Sequence, residues 1–169
     1  MRQGSKNYNS GKASEKTSRN FLERLGFYKP TSKERKLIVL AFESIDKVVN
    51  SRAFDYVDEE VAVFLNDIEE LKKNVSQVVL YEAKGASKTR KAKVNNDFRG
   101  VGFTLTENEK KNAETLEEQY KFLIYNEKTE NFLICPLHHL QIRARIYKTE
   151  SFFINKGLIT DNIKLNSIR

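Results

Sequence analysis

Two opposite charges follow a short run of β-forming residues in the middle of the chain. Residues 78–81, Val-Val-Leu-Tyr, favour a buried central strand, and they lead directly into Glu82-Ala83-Lys84. If the strand continues, alternation of side chains places Glu82 and Lys84 on one face. The two charges could form a simple ion pair at the end of the strand. Alternatively, the carboxylate could hold a divalent cation while the lysine orients a water molecule.

A site of the second kind needs another acidic residue upstream, because Mg²⁺ prefers oxygen ligands and usually takes one or two carboxylates. Asp55 is one candidate, since it is a lone carboxylate in the β-prone stretch Ala-Phe-Asp-Tyr-Val at residues 53–57. Asp67 is the alternative, since it ends the apolar run that begins at Val63. The long separation between Asp55 and Glu82 leaves both candidates open.

The arrangement resembles the PD-(D/E)XK, or restriction-endonuclease-like, superfamily, in which an acid on a helix precedes a strand aspartate and an E-x-K motif. Two stretches are more specifically similar to the NO VEIN-type nuclease-like domain of restriction and defence proteins. They are LYEAKG at residues 80–85 and GFTLTENE at residues 102–109. The resemblance covers residues 12–140. It departs from the family at the aspartate, where the usual Gly-Tyr-Asp-Ile is replaced by Ala-Phe-Asp-Tyr at residues 53–56.

This resemblance implies a Mg²⁺-dependent DNA endonuclease, with Mn²⁺ as a possible substitute. Lys84 would orient or help to activate the attacking water. The implied metal ligands are oxygen donors: Asp55 (or Asp67), Glu82, the carbonyl of Ala83, and Glu15 on the first helix, with Glu23 as the rival to Glu15. The other functions considered are a non-catalytic DNA-binding module and a protein-interaction module with the same fold.

The charge of the chain favours a polyanionic partner. Lys and Arg number 30 against 23 Asp and Glu, which gives a formal net charge of +7 and an isoelectric point of about 9.4. A basic segment between the two motifs is expected to hold the backbone of duplex DNA, although a merely solvated face would look the same. Its residues are Lys88, Arg90, Lys91, Lys93 and Arg99. A homodimer is also plausible, because cutting both strands commonly uses a two-fold pair.

The elements that must position these residues indicate an α/β fold with a central mixed β-sheet flanked by helices, as in a restriction-endonuclease-like core. Periodicity and capping signals predict helices over residues 14–25, 31–45, 106–118 and 137–146. Strands are predicted over residues 54–57, 78–81, 101–105, 120–125 and 132–135. Residues 61–65 fit either a strand or the start of a helix.

Length and composition predict one domain. The 169 residues are 39% hydrophobic, and we expect a flexible basic arm over residues 1–12 followed by a single nuclease-like domain over residues 13–169. No apolar run approaches the ~18 residues of a membrane-spanning helix. The first residues lack the apolar region of a secretory signal, and the single cysteine excludes an intramolecular disulfide. A cytoplasmic protein that does not bind a membrane is therefore expected.

Overall fold

The structure is a computed structural model that describes residues 19–85, 98, 101–126, 131–146, 151–154 and 164–167, with backbone only from residue 142 onward. The predicted arm over residues 1–12 lies outside this part of the chain. Helices among the described residues are too short or too polar to span a lipid bilayer.

The described residues form nine strands. In chain order these are β1 (Phe27–Tyr28), β2 (Tyr56–Asp58), β3 (Leu80–Gly85), β4 (Gly102–Thr104), β5 (Tyr120–Asn126), β6 (Asn131–Pro136), β7 (Ala144–Ile146), β8 (Ser151–Ile154) and β9 (Lys164–Ser167). Six of them make the main sheet in the order β1-β2-β3-β5-β6-β9. Strands β4, β8 and β7 form a smaller antiparallel sheet.

Residues 19–24 are helical, and five further helices follow. They are α1 (Ser32–Glu43), α2 (Glu59–Ala62), α3 (Ile68–Lys73), α4 (Glu107–Leu116) and α5 (Leu137–Arg143). Helices α1 and α4 both begin with a capping box, formed by Thr31 with Glu34 and by Thr106 with Glu109. In each box two backbone N–H groups at the start of the helix gain a side-chain partner.

The main sheet is mixed, because β3 and β5 run parallel while all its other neighbouring strands are antiparallel. Parallel strands require a crossover connection. Here that connection carries α4, which packs against β5 and returns the chain to the sheet. The crossover therefore brings the start of α4 close to the face of β3 that carries Glu82 and Lys84.

Both faces of the sheet are covered by apolar side chains. On β5, Phe122 and Ile124 belong to the larger core, which includes residues of α1, α3, α4 and α5. Leu123 points to the opposite face and joins a smaller core, to which the helical residues Phe21 and Leu22 also belong. The alternation along one central strand thus explains the layered architecture and confirms the predicted α/β fold with a mixed sheet flanked by helices.

Most element predictions are confirmed, and two need correction. The sequence predicts that residues 144–146 continue the last helix, but they form β7, because antiparallel pairing with β8 overrides the helical pattern. The central strand runs over Leu80–Gly85 rather than residues 78–81, since its pairing with β5 begins at Leu80. Residues 61–65 take the helical alternative in part, with α2 ending at Ala62 and a turn following.

The side chain of Asn112 on α4 links this helix by hydrogen bonds to the loop that precedes β2. The side chain is 1% exposed. Its Oδ1 accepts from the backbone N–H of Asn50 at 2.8 Å, and its Nδ2 donates to the carbonyls of Asn50 at 3.1 Å and Ala53 at 3.3 Å. All three bonds link segments that are far apart in sequence.

Replacing this side chain should therefore be costly. We expect Asn112→Ala to lower the free energy of unfolding by about 2–3 kcal/mol, because the backbone N–H and C=O of Asn50 and the carbonyl of Ala53 each lose a side-chain partner. The neighbouring Lys111→Ala is the control, since Lys111 is 65% exposed and its loss should cost less than about 0.5 kcal/mol. Urea denaturation of both variants measures the difference. Equal losses in the free energy of unfolding for the two variants would show that the Asn112 hydrogen bonds do not stabilise the fold.

Candidate active site

Strand β3 places Glu82 and Lys84 side by side on the face that bears the larger core. Leu80, two residues before Glu82, belongs to that core, whereas Tyr81 belongs to the smaller core on the other face. Lys84 Nζ lies 2.9 Å from Glu82 Oε1. The alternation expected from the sequence is therefore present, and the two charges are in contact within the fold.

A third charged residue, Glu109, completes this contact. Lys84 Nζ donates to Glu109 Oε2 at 2.8 Å, and the same oxygen accepts from the backbone N–H of Thr106 at 3.0 Å. The Lys84 side chain is 13% exposed, and those of Glu82 and Glu109 are each 10% exposed. One ammonium is thus held between two largely buried carboxylates.

Asp55 lies beside the same strand. Pairing between β2 and β3 stops at Tyr81, whose carbonyl accepts from the Asp55 backbone N–H at 2.7 Å. The next N–H on this edge of β3, that of Ala83, donates to Asp55 Oδ2 at 3.2 Å. Because the N–H and C=O of a strand residue face the same edge, the Ala83 carbonyl is directed toward the Asp55 side.

Burial and the neighbouring carboxylates raise the proton affinity of Glu82. Burial, followed by the charge of Asp55, raises the pKa of Glu82 to about 8, and Lys84 offsets only part of this effect. The pKa of Lys84 is also raised: burial opposes its charge, but the Glu82 and Glu109 carboxylates outweigh that penalty. Lys84 therefore stays protonated at neutral pH and acts as a fixed positive charge.

The loop that carries Asp55 is held by Arg35 on α1. The Arg35 guanidinium donates to the carbonyls of Ser51 at 3.2 Å and Asp55 at 3.2 Å, and also to that of Phe54. It stacks 5.0 Å from the centre of the Phe54 ring. Arg35 is therefore a positioning residue for Asp55, and no local sequence pattern singles it out.

Glu109 was also missed as a member of the site. The sequence signalled it only as the third helical residue of a capping box, a role that it does fill. Its contact with Lys84 spans 25 positions of the chain. A carboxylate at the start of a helix that follows an E-x-K strand is the signal that could have identified it.

The remaining predicted site residues fall into two groups. Asp67 caps α3, where it accepts from the backbone N–H groups of Glu69 at 3.0 Å and Glu70 at 3.2 Å. Glu23 is exposed and pairs with Arg19 at 2.6 Å. The structure thus brings Asp55, rather than Asp67 or Glu23, next to Glu82. The other residues lie outside the described part of the chain: Glu15, Lys88, Arg90, Lys91, Lys93 and Arg99.

The donor set fits a hard divalent cation that keeps several waters. Within the described residues, no group of three or more His, Cys, Asp or Glu side chains is arranged to hold a metal ion. Mg²⁺, however, commonly uses only one or two carboxylates together with water and phosphate oxygens. Asp55 and Glu82 can supply the carboxylates. Burial together with the charge of Asp55 raises the pKa of Glu82 despite the Lys84 ammonium.

Comparisons with protein-family models, with curated proteins and with solved structures found no match to this chain. The likeness to the restriction-endonuclease-like superfamily therefore rests on the motif residues themselves.

The buried carboxylate makes stability depend on pH in a defined direction. A pKa of about 8 for Glu82, against an ordinary 4.5, means that the folded protein retains a proton that the unfolded chain releases. Stability from this group is full below pH 4.5 and is lost as pH rises through 8. Glu82→Gln removes the titrating group. The melting temperature of this variant should therefore rise relative to that of the wild type as the pH increases from 5 to 9.

The matched control is Glu107→Gln, which removes a carboxylate from the exposed side of α4. Its melting temperature should follow the wild-type curve over the same range, because Glu107 has a lowered pKa and is already ionised. If the melting temperatures of Glu82→Gln and the wild type change in parallel with pH, the pKa of Glu82 is not raised.

Proposed function

We propose that this protein is a metal-dependent DNA endonuclease of the PD-(D/E)XK type. The observation that carries the proposal is the placement of Asp55 against the edge of β3, next to a Glu82–Lys84 pair. The pair and the aspartate come from separate segments. The pair is largely buried, and the aspartate is half-buried. The E-x-K-G and LTENE motifs support the same function, since Glu82, Lys84 and Glu109 all belong to them.

The metal would be held by the carboxylates of Asp55 and Glu82 and by the carbonyl of Ala83. When bound, Mg²⁺ or Mn²⁺ supplies a Lewis acid that polarises the scissile phosphate and lowers the pKa of a bound water. The residues of the chain then have to exclude competing water and fix the geometry of these oxygen donors. Burial of Glu82 and the Asp55–Ala83 hydrogen bond provide both.

Lys84 supplies a positive charge beside the reacting phosphate. Because its pKa is raised, it does not remove a proton from water at neutral pH. Its role is to orient the water and to offset the negative charge that develops on the phosphate oxygens. Glu109 is a positioning residue in this scheme, since its carboxylate holds the Lys84 ammonium and is itself fixed by Thr106.

Duplex DNA is the proposed substrate. The net charge of +7 favours a polyanion, and the basic segment between the two motifs is the proposed backbone contact. Contacts of this kind position the strand without reading its sequence. A two-fold pair of chains would allow both strands to be cut, and action against foreign DNA would fit the restriction and defence proteins that the motifs resemble.

A non-catalytic DNA-binding module with the same fold is the second candidate. It is favoured by the engagement of Lys84 with two carboxylates, which leaves its ammonium already well paired. In that case the charged cluster would serve to join β3 to α4.

Plasmid cleavage separates these functions. The wild type should nick or cut supercoiled DNA in Mg²⁺ or Mn²⁺ but not in EDTA. Glu82→Gln and Lys84→Ala should each lower the rate about 100-fold or more, because each removes charge that acts on the transition state. Lys111→Ala, a charge loss on the exposed face of α4, should leave the rate within about twofold, since it touches no transition-state group.

Melting curves must accompany these rates, because loss of Lys84 leaves two buried carboxylates without a cation. Intact plasmid with the wild type in both metals would refute the nuclease. Metal-dependent cleavage that persists in folded Glu82→Gln would place the active site elsewhere.

A further inference from the structure

A cleft with a volume of about 670 Å³ opens where α1 begins. This volume falls within the range of small-ligand sites. Five basic side chains line it: Arg19, Lys29, Arg35, Lys36 and Arg52. The nine residues of the lining include no Asp or Glu, so the cleft presents concentrated positive charge to solvent.

Hydroxyl groups make up most of the remaining lining. Thr31, Ser32 and Ser51 contribute side-chain hydroxyls, which can donate to phosphate oxygens. Thr31 caps the twelve-residue helix α1 and Ser32 is its first residue. The Glu34 carboxylate compensates the positive end of the helix dipole, so the basic side chains supply the positive field. The lining contains no aromatic residue on which a base could stack. The chemistry is therefore that of phosphate binding rather than base recognition.

Two neighbouring acidic residues, Glu34 and Glu23, already have hydrogen-bond or ion-pair partners. Glu34 is buried, and its carboxylate accepts from the Tyr28 hydroxyl at 3.1 Å and from the Thr31 backbone N–H at 2.6 Å. Glu23 offsets Arg19 through an exposed ion pair. Lys36 and Arg52 are exposed, and their side chains form no ion pair with any described residue. Their charges remain for a ligand.

The cleft also adjoins the loop that positions Asp55. Arg35 lines the cleft and donates to the carbonyls of Phe54 and Asp55. Ser51 and Arg52, which also line the cleft, belong to the chain segment that leads into Asp55. A phosphate-bearing strand that enters the cleft therefore lies next to the loop of the candidate active site.

We propose that this cleft binds phosphate groups, supplied either by the backbone of a nucleic-acid strand or by a free polyphosphate compound. Binding of this kind does not require cleavage at Glu82 and Lys84. It is a second anion site, formed by residues 19–52, and it shares no residue with the basic segment over residues 88–99.

Binding in EDTA tests the proposal without any contribution from cleavage. The probes are a short fluorescent DNA duplex, followed by anisotropy, and inorganic triphosphate, followed by calorimetry. The variant is Lys36→Gln combined with Arg52→Gln. The matched control is Lys72→Gln combined with Lys73→Gln, which removes the same charge from exposed positions on α3. Melting temperatures check that both double variants are folded.

If a strand supplies the phosphates, the cleft variant should bind duplex DNA about tenfold more weakly than the control at ~0.1 M salt. The number of counterions released on binding, read from the salt dependence of the affinity, should fall by about two. If a free compound supplies them, the variant should lose triphosphate affinity while its DNA affinity matches that of the control. Equal affinities of variant and control for both probes would overturn the proposal, whether or not the wild type cleaves DNA.

Discussion

The two ion pairs that Lys84 makes with Glu82 and Glu109 hold the candidate site together. A buried charge is costly unless it is paired and hydrogen-bonded, and here both carboxylates lie within 2.9 Å. The contact joins the middle of the main sheet to the first turn of α4. Burial and the charge of Asp55 raise the pKa of Glu82 to about 8, because the Lys84 ammonium offsets only part of these effects.

Asp55 reaches this cluster because long-range hydrogen bonds define the loop before β2. Arg35 holds the loop from α1, Asn112 holds it from α4, and the buried hydroxyl of Tyr120 donates to the Ala53 carbonyl from β5. Three separate elements thus fix one short segment. The basic cleft at the start of α1 shares Arg35 with this arrangement, so acidic and basic surfaces adjoin the same loop.

Local patterns were enough to predict much of this arrangement. Strand alternation placed Glu82 and Lys84 on one face, and the capping box predicted the start of α4 at Thr106. The contact between Glu109 and Lys84 could not be predicted, because it depends on the parallel crossover between β3 and β5. The choice between Asp55 and Asp67 was open for the same reason, since only tertiary pairing at the edge of β3 distinguishes them. Strand β7 was missed because residues 144–146 continue a helical pattern, and it is their pairing with β8 that favours a strand.

We propose that Asp55 and Glu82 form a divalent-cation site. The decisive test is Mn²⁺ binding at pH 8, followed by electron paramagnetic resonance. The wild type should bind Mn²⁺, and Asp55→Asn should weaken binding by about tenfold or more, because a charged oxygen ligand is lost. Asp67→Asn is the matched control and should bind as the wild type does, since asparagine still caps a helix. Equal Mn²⁺ affinities for Asp55→Asn and Asp67→Asn, or no binding by the wild type, would contradict the account.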